Sequence, residues 1–458
     1  MASRLYLLRV CVCAWLVQSS VATVCAGPEP GCHEILAWGG DYRVEMTHAD
    51  GLFACGETAR LKVTALDKER DGKPAESGTL TVSVDDFGTN TLWRRTVDLA
   101  KENPFTVEGT LDTPGFLAFH FVRAGKRDGT WGVGFDVSKI RPAVKEPADF
   151  AAFWKRAMAD LEKNVPADPQ LVPLPERASD RWDYYRVSFA TFGRRVYGFL
   201  SVPKDKSNAP FPVRVELPSA GRGLYSVDMP GSAREVRLMI TVHPFEPAIE
   251  KEAFLRQFDE NWRRLVRKYS VGDDVAAGLA VSREEFFYYP MILGAVRATK
   301  WLRKQPYVDR DDFVYFGGSQ GGGLGLCLCA LCPHFRKAVF LVPALCDLQA
   351  YRVGRSSGGL RVVEKQAPEN REAAGRNVGY FDAAYFARRI KCPVRMTVGL
   401  SDVTCPPPTV YAAFNSLGSK DKEMIVMPGF PHGVRPGQIE ELSHWNSEKD
   451  ATVGLRKR

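Results

Sequence analysis

The strongest constraint on the fold of this chain is a glycine-rich turn that carries a single serine. Residues 316–323 have the sequence FGGSQGGG, which contains the pattern Gly-x-Ser-x-Gly, and apolar residues lie on both sides of it. The pattern predicts a short buried strand, a sharp turn and the start of a helix, with the hydroxyl of Ser319 exposed at the sheet edge. Because glycine-rich turns are common, the motif alone does not establish a catalytic serine.

The residues around this turn predict alternating strands and helices. From residue 146 onward, short apolar runs alternate with helical segments, which favours a mainly parallel sheet with helices on both faces. Active sites in such sheets lie beyond the carboxyl ends of the strands. The predicted strands cover residues 195–202, 211–217, 236–242, 313–316, 338–342, 394–398 and 424–427, and the predicted helices include 148–161, 286–302 and 409–417.

The N-terminal part has a different pattern. Between residues 34 and 137, apolar and polar residues alternate over strand-length stretches, and glycines separate these stretches. This predicts a β-sandwich of immunoglobulin-like type that acts as a spacer, a packing partner or a sugar-binding module. The expected division is a signal peptide (1–26), the sandwich (27–140), the α/β domain (141–445) and a polar basic tail (446–458).

The first residues predict export. The basic residue Arg4 precedes a mostly apolar stretch over residues 10–24, which ends in small residues suited to cleavage. The stretch is short for a membrane span, so a secreted or periplasmic protein is expected, with a lipoprotein acylated at Cys25 as the less favoured alternative. Cys32 and Cys55 are candidates for a disulfide in an oxidising compartment, and whether they pair stays open.

Composition narrows the classes of partner. The 458-residue chain has a net charge of +8, but its basic clusters have no interleaved aromatic residues, which argues against nucleic-acid binding. No second apolar stretch is long enough to span a membrane. No second cysteine pair stands at metal-ligand spacing from Cys327, Cys329 and Cys332, so we expect these three to be small buried hydrophobic residues. We predict that the protein needs no metal and no organic cofactor.

A catalytic serine needs a base, and the base needs a carboxylate that orients it. His432 lies in a loop directly after the predicted strand 424–427, where a loop-borne base belongs. His444 lies in a polar segment without such a strand, and His334 ends the helix that Ser319 begins, about 20 Å away. The sequence therefore favours His432 as the base.

The catalytic acid and the oxyanion donors are also expected in loops that directly follow predicted strands. Asp402 follows the predicted strand 394–398 and precedes the histidine loop, while Asp347 is the runner-up. The developing oxyanion needs two backbone N–H groups. One is expected from Gln320 at the helix N-terminus, and the other from Ala220, with Ser219 close behind, in the loop after strand 211–217.

Several segments together resemble the acetyl xylan esterase and cephalosporin C deacetylase family (carbohydrate esterase family 7). They are GGSQGG at 317–322, YFDAAYFARRIKCPV at 380–394, GLSDVTCPP at 399–407 and YAAFN at 411–415. The resemblance covers roughly residues 146–432 and implies an α/β-hydrolase fold and the removal of acetyl groups from carbohydrate esters. It carries the family's triad onto Ser319, Asp402 and His432.

The chain departs from the family pattern at two places that concern substrate choice. The family often has Arg-Gly-Gln-Gly where residues 243–246 are HPFE, and often has Glu where Gly433 follows the histidine. His243 and Tyr288 are candidate substrate contacts, although a structural histidine and core packing are the competing interpretations. Residues 248–283 are expected to form helices that cap the site.

These features predict an exported serine esterase that acts on acetylated xylan or xylo-oligosaccharides through an acetyl-enzyme intermediate. One alternative is a peptidase or a lipase-like esterase on the same fold. Another is an inactive relative that binds carbohydrate. The resemblance also implies a possible homo-oligomer, since closed oligomers are frequent in the family. The sequence does not name the sugar or the position of the acetyl group.

Overall fold

A computed structural model describes residues 33–36, 41–67, 71–88, 90–123, 125–221 and 229–448. The predicted signal peptide, Cys25 and Cys32 lie outside these ranges, so the proposed disulfide has only Cys55 within them. In the part of the chain that is described, none of the helices has the length and apolar character needed to cross a membrane.

The described residues before 136 form a β-sandwich of two five-stranded sheets, as the alternating pattern predicted. Alternate residues of the strand Thr79–Asp85, such as Leu80, Val82 and Val84, are fully buried between the sheets. One sheet contains β1 (His33–Leu36), β2 (Tyr42–Met46), β4 (Thr58–Asp67), β5 (Lys73–Pro74) and β8 (Phe105–Thr110). The other contains β3 (Leu52–Phe53), β10 (Lys126–Phe135), β9 (Gly115–Arg123), β6 (Thr79–Asp85) and β7 (Thr91–Asp98).

The remaining strands form one nine-stranded sheet in the order β11-β12-β13-β15-β14-β16-β17-β18-β19. The pairs from β15 to β19 are parallel, whereas β11, β12 and β13 pair antiparallel at one side. The strands are β11 (Gln170–Pro173), β12 (Trp182–Thr191), β13 (Arg194–Pro203), β14 (Phe211–Glu216), β15 (Val236–Ile240), β16 (Val308–Gly318), β17 (Phe335–Leu341), β18 (Val394–Gly399) and β19 (Lys422–Met427).

Helices cover this sheet. Most of them pack against one large apolar core, whereas the last helix contributes Leu442 to a smaller cluster with residues of β16 and β17. They are α1 (Phe150–Asn164), α2 (Lys251–Tyr269), α3 (Tyr288–Leu302), α4 (Gln320–Leu331), α5 (Arg371–Val378), α6 (Ala383–Ala387), α7 (Pro407–Ser416) and α8 (Gln438–Ser447). Cys327, Cys329 and Cys332 lie in or just after α4 and are buried, as predicted for small apolar residues. Helix α2 occupies much of the segment expected to cap the site.

Helix α8 extends two residues, to Ser447, into the segment that the sequence assigned to a polar tail. Asn446 belongs to α8 and is 1% exposed, and its side-chain amide donates to the carbonyl oxygen of Tyr315 at 3.0 Å. Trp445 beside it packs on the sheet and accepts cation–π contacts from Lys337 and Arg395. The polar sequence concealed this helix because its few buried groups meet the sheet only in the tertiary structure.

Candidate active site

Ser319 occupies a strained turn between β16 and α4. Its φ of 54° and ψ of −120° are unusual for a residue with a side chain. Two backbone hydrogen bonds hold it there: its N–H donates to Leu341 O at 2.8 Å, and its carbonyl accepts from Ala344 N at 2.8 Å. The turn directs the serine away from both regular elements, which is the geometry expected of a nucleophile elbow.

Gly321 permits the close approach of α4 to the end of β14. A Cβ atom at this position would lie 2.0 Å from the carbonyl oxygen of Leu217, which is far inside van der Waals contact. Leu217 is followed by the loop that contains Ser219 and Ala220. The glycine therefore brings the first turn of α4 against the loop from which the second oxyanion donor was predicted.

Asp402 is fully buried in the turn after β18, and its own backbone surroundings orient it. Its Oδ1 accepts from the N–H groups of Thr404 and Cys405, each at 2.8 Å. These bonds fix the carboxylate and leave Oδ2 to face His432 Nδ1 at 2.8 Å.

His432 lies in the loop after β19 and joins the acid to the serine. Its Nδ1 is 2.8 Å from Asp402 Oδ2, and its Nε2 is 2.9 Å from Ser319 Oγ. Burial lowers the pKa of His432, but the charge of Asp402 and its hydrogen bond raise the pKa by more, so the net shift is upward. In the neutral imidazole, which forms above this raised pKa, the proton lies on Nδ1 towards Asp402 and the Nε2 lone pair can accept the hydroxyl proton of Ser319.

The competing residues from the sequence lie elsewhere. Asp347 is buried, pairs with Arg355 at 2.7 Å and accepts from Ala143 N at 2.8 Å. His444 is an exposed residue of α8 and lies 3.0 Å from Glu448. His334 stacks on Phe335 beyond the far end of α4. The structure therefore brings Ser319, Asp402 and His432 together and none of these three competitors.

The predicted oxyanion donors lie on two adjoining segments that side chains tie together. Gln320 is the first residue of α4, and its side-chain Nε2 donates to Pro218 O at 3.2 Å. Ser219 Oγ donates to Gly318 O at 2.9 Å, one residue before the serine. Ala220 follows Ser219 in this loop, so both segments border the serine turn.

Tyr288 is placed behind Gln320 and not on an open surface. Its side chain is 1% exposed, and its hydroxyl donates to Gln320 Oε1 at 2.6 Å. The expected direct contact with substrate is therefore replaced by a contact with a residue of the serine turn. Sequence reasoning noticed Tyr288 as an aromatic residue but missed the Gln320 side chain as its partner, because the two are 32 residues apart.

His243 lies among aromatic rings after β15. Its ring stacks on Phe245 with centroids 5.4 Å apart, and the edge of Phe258 lies at 4.9 Å. Its buried Nδ1 has no hydrogen-bond partner within the described residues. Burial lowers the pKa of His243 to about 4, so the imidazole is neutral at physiological pH and acts as part of an apolar cluster.

Asp402, Cys405 and His432 each offer an atom of a type that binds metals, and these atoms lie within 4.8 Å of one another. The protein itself already uses the carboxylate and the imidazole, because Asp402 accepts two backbone N–H groups and His432 contacts both Asp402 and Ser319. Burial raises the pKa of Cys405, which disfavours the thiolate that metals prefer. The donor set is therefore better suited to proton transfer than to a resident metal.

Most of this chain is similar to known proteins. The model of the family described as acetyl xylan esterase (AXE1) matches residues 135–220 and 261–449. Acetyl esterase Axe7A of Xylanibacter ruminicola is 28% identical over 404 residues, which cover 83% of this chain and 84% of that protein.

Two solved structures share the fold of the catalytic part. The acetyl xylan esterase from Paenibacillus sp. R4 has a TM-score of 0.55 at 24% identity and covers 68% of this chain and 97% of its own. Acetyl xylan esterase 1 from Thermoanaerobacterium sp. JW/SL YS485 has a TM-score of 0.51 at 22% identity, with 68% and 96% covered. The α/β-hydrolase fold, preceded by a β-sandwich, is thus confirmed. Because the family model matches more than half of the sequence, this chain belongs to the acetyl xylan esterase (AXE1) family of carboxylic ester hydrolases.

Proposed function

We propose that this protein is an exported serine esterase that removes acetyl groups from carbohydrates such as acetylated xylan or xylo-oligosaccharides. The observation that carries the proposal is the continuous chain of contacts from Asp402 through His432 to Ser319, with separations of 2.8 and 2.9 Å. The family of the chain supports the acetyl group as the acyl part. Export rests on the sequence of residues 1–26.

In the first half-reaction, Ser319 Oγ attacks the acetyl carbonyl carbon while its proton moves to His432 Nε2. Asp402 stabilises the imidazolium that forms. The backbone N–H groups of Gln320 and Ala220 receive the oxyanion, and the N-terminus of α4 adds a favourable dipole. The bond to the sugar oxygen then breaks, and His432 returns the proton to that oxygen.

Water completes the cycle by the same route. It gives one proton to His432 Nε2 as its oxygen attacks the acetyl-enzyme. The bond between the acetyl carbon and Ser319 Oγ then breaks, and the proton returns to Oγ. Acetic acid leaves and ionises in solution to acetate and a proton, and each residue regains its starting state, so the reaction needs water as its only co-reactant.

The test is acetate release by the purified protein from acetylated xylan, xylo-oligosaccharides, acetylated pectin and a small aryl acetate. We expect release from the xylan-derived substrates and a fall of at least about 10⁴-fold in the Ser319→Ala variant. A fluorophosphonate probe should label the wild-type protein at Ser319. Acetate release by Ser319→Ala at the wild-type rate would contradict the mechanism, and an unlabelled, inactive wild type would favour a carbohydrate-binding relative.

A further inference from the structure

The β-sandwich touches the loop that carries Asp402. A Cβ atom on Gly132 of β10 would lie 1.7 Å from the carbonyl oxygen of Leu400, two residues before Asp402. The nearest atom to a Cβ on Gly51 would also belong to Leu400, with Cδ1 at 2.8 Å. The backbone of the sandwich therefore packs against the turn after β18 with no space for a side chain at Gly132.

The residue before Gly132 touches the loop that carries His432. Trp131 is fully buried, and a Cβ atom on Gly429 would lie 2.7 Å from its Cζ3. Gly429 stands three residues before His432. Among the described residues, the indole nitrogen of Trp131 has no hydrogen-bond partner, so this side chain supports the loop through its shape.

The sandwich also contacts a third segment, which packs against Cys405 near the loop of Asp402. Phe87 O accepts from Ser356 N at 2.9 Å, and the Phe87 ring belongs to the apolar core of the α/β domain. Three residues beyond Ser356, a Cβ atom on Gly359 would lie 2.5 Å from Cys405 Sγ. The sandwich thus contacts three segments that lie close to the candidate triad in sequence or in space.

We infer that the β-sandwich positions the triad. Gly132 fixes the position of the loop of Asp402, and Trp131 fixes the position of the loop of His432. The inference rests on the proposed function, because it concerns the same three residues. Loops are the adaptable parts of an α/β fold, whereas proton transfer requires side chains held to within about 0.5 Å. Gly132 and Trp131 are positioning residues that act through Leu400 and Gly429.

The experiment uses two variants of the full chain that disturb the two loops in opposite ways. Gly132→Ala pushes the loop of Asp402 away from β10. Trp131→Phe shortens the side chain that contacts Gly429 in the loop of His432, without removing a hydrogen bond. For each variant we expect kcat for a small aryl acetate to fall about tenfold to a hundredfold, with KM changed less than about twofold. The rate of phosphonylation of Ser319 should fall in parallel.

The matched control is Gly109→Ala, which crowds the sandwich without reaching either loop. A Cβ atom there would lie 2.4 Å from Leu117 Cδ1 and 3.4 Å from Phe119 Cζ, both inside the sandwich. Rates are normalised to the folded fraction, measured from thermal unfolding. We expect Gly109→Ala to lower the unfolding temperature and to leave kcat per folded molecule unchanged.

The outcomes separate this inference from the proposed function. Wild-type rates of phosphonylation in both Gly132→Ala and Trp131→Phe would overturn the inference alone, as would an equal loss of kcat in Gly109→Ala. A wild-type protein that is not phosphonylated at Ser319 would overturn the proposed function and the inference with it. Selective loss of kcat in the two loop variants would establish the sandwich as a support of the triad.

Discussion

Among the described residues, an Asp–His–hydroxyl hydrogen-bond relay occurs in the sandwich and another in the α/β domain, and the two differ in backbone setting more than in distances. In the sandwich, Asp85 Oδ2 lies 2.7 Å from His120 Nε2, and His120 Nδ1 lies 2.9 Å from Thr130 Oγ1. In the α/β domain, the corresponding separations are 2.8 Å and 2.9 Å. Hydrogen-bond distances therefore do not distinguish a relay that is proposed to be catalytic from a structural one.

The difference lies in where the hydroxyl group is held. Asp85, His120 and Thr130 lie on the neighbouring strands β6, β9 and β10, and Thr130 pairs directly with His120 inside the sheet. Ser319 has a positive φ, ends a parallel strand and precedes the N-terminus of α4. A strained, projecting hydroxyl beside a helix N-terminus can reach a carbonyl group and stabilise its oxyanion. The comparison teaches that the turn, more than the trio of side chains, separates the two sites.

The largest expected effect comes from Asp402→Asn. We expect kcat to fall about 10⁴-fold, because the amide no longer stabilises the imidazolium. The acid limb of the pH–rate profile should also move to lower pH, since the charge of Asp402 raises the pKa of His432 in the wild type. A pH series with an aryl acetate measures both effects. The control Asp85→Asn changes the other relay and should leave the acid limb in place; an equal shift in both variants would contradict the comparison.

His243 has no carboxylate partner among the described residues, and its pKa is shifted in the direction opposite to that of His432. Burial lowers the pKa of His243 to about 4, below the ordinary value of about 6.5, so the unfolded chain binds the additional proton between these values. Stability is therefore lost as pH falls from 6.5 towards 4, by about 2 kcal/mol at pH 4.5 from this residue. In His243→Phe, the loss of unfolding free energy between pH 7 and pH 4.5 should be smaller by that amount, as urea titrations at both pH values would measure. Equal losses would refute this assignment.

Tyr288→Phe tests the hydrogen bond that the Tyr288 hydroxyl donates to the Gln320 side chain. Burial raises the pKa of Tyr288 well above its usual value, so the hydroxyl stays protonated and donates to Gln320. We expect its removal to lower kcat about tenfold, equivalent to about 1.4 kcal/mol, because Gln320 also holds the loop of Ala220 through Pro218. The neighbouring variant Tyr289→Phe is the control. Steady-state kinetics that show the same loss in both variants would assign the effect to general packing.

The smallest effect is expected in the sandwich relay. Thr130→Val keeps the shape of the side chain and removes its hydroxyl from His120. We expect a loss of about 1 kcal/mol in unfolding free energy and a change in kcat of less than about twofold. Denaturant unfolding and aryl acetate hydrolysis provide the two measurements. A tenfold loss of kcat with an unchanged stability would show that the two relays are functionally coupled.

Much of the candidate site could be predicted because its chemistry is local in the chain. Ser319, Asp402 and His432 each follow a strand with a clear apolar pattern, and parallel strands present their carboxyl ends on one edge of the sheet. The length of the helix after Ser319 excluded His334, and the lack of a preceding strand made His444 the less favoured base. The position of Asp347 after a predicted strand also made it a credible acid, because nothing local indicates that Arg355 and Ala143 engage that carboxylate.

The remaining features depend on contacts between distant parts of the chain. The sequence placed Asn446 in a tail because nothing near it in the chain indicates burial. Its partner is the carbonyl oxygen of Tyr315 in β16, 131 residues earlier. Tyr288 was a candidate substrate contact, with core packing as the competing interpretation, because nothing local identifies Gln320, 32 residues away, as the partner of its hydroxyl. Polar and aromatic residues of this kind show no periodicity that identifies the partner.

The sequence by itself determined the order of the strands from residue 195 to residue 427, the serine turn and the three residues that meet at the sheet edge. It did so because each depends on residues a few positions away, through apolar periodicity and turn chemistry. Only the tertiary structure decided that Gly132 and Trp131 of the sandwich lie against the loops of Asp402 and His432. A glycine in a strand looks the same in the sequence whether it faces solvent or another backbone, because close approach is a property of two surfaces.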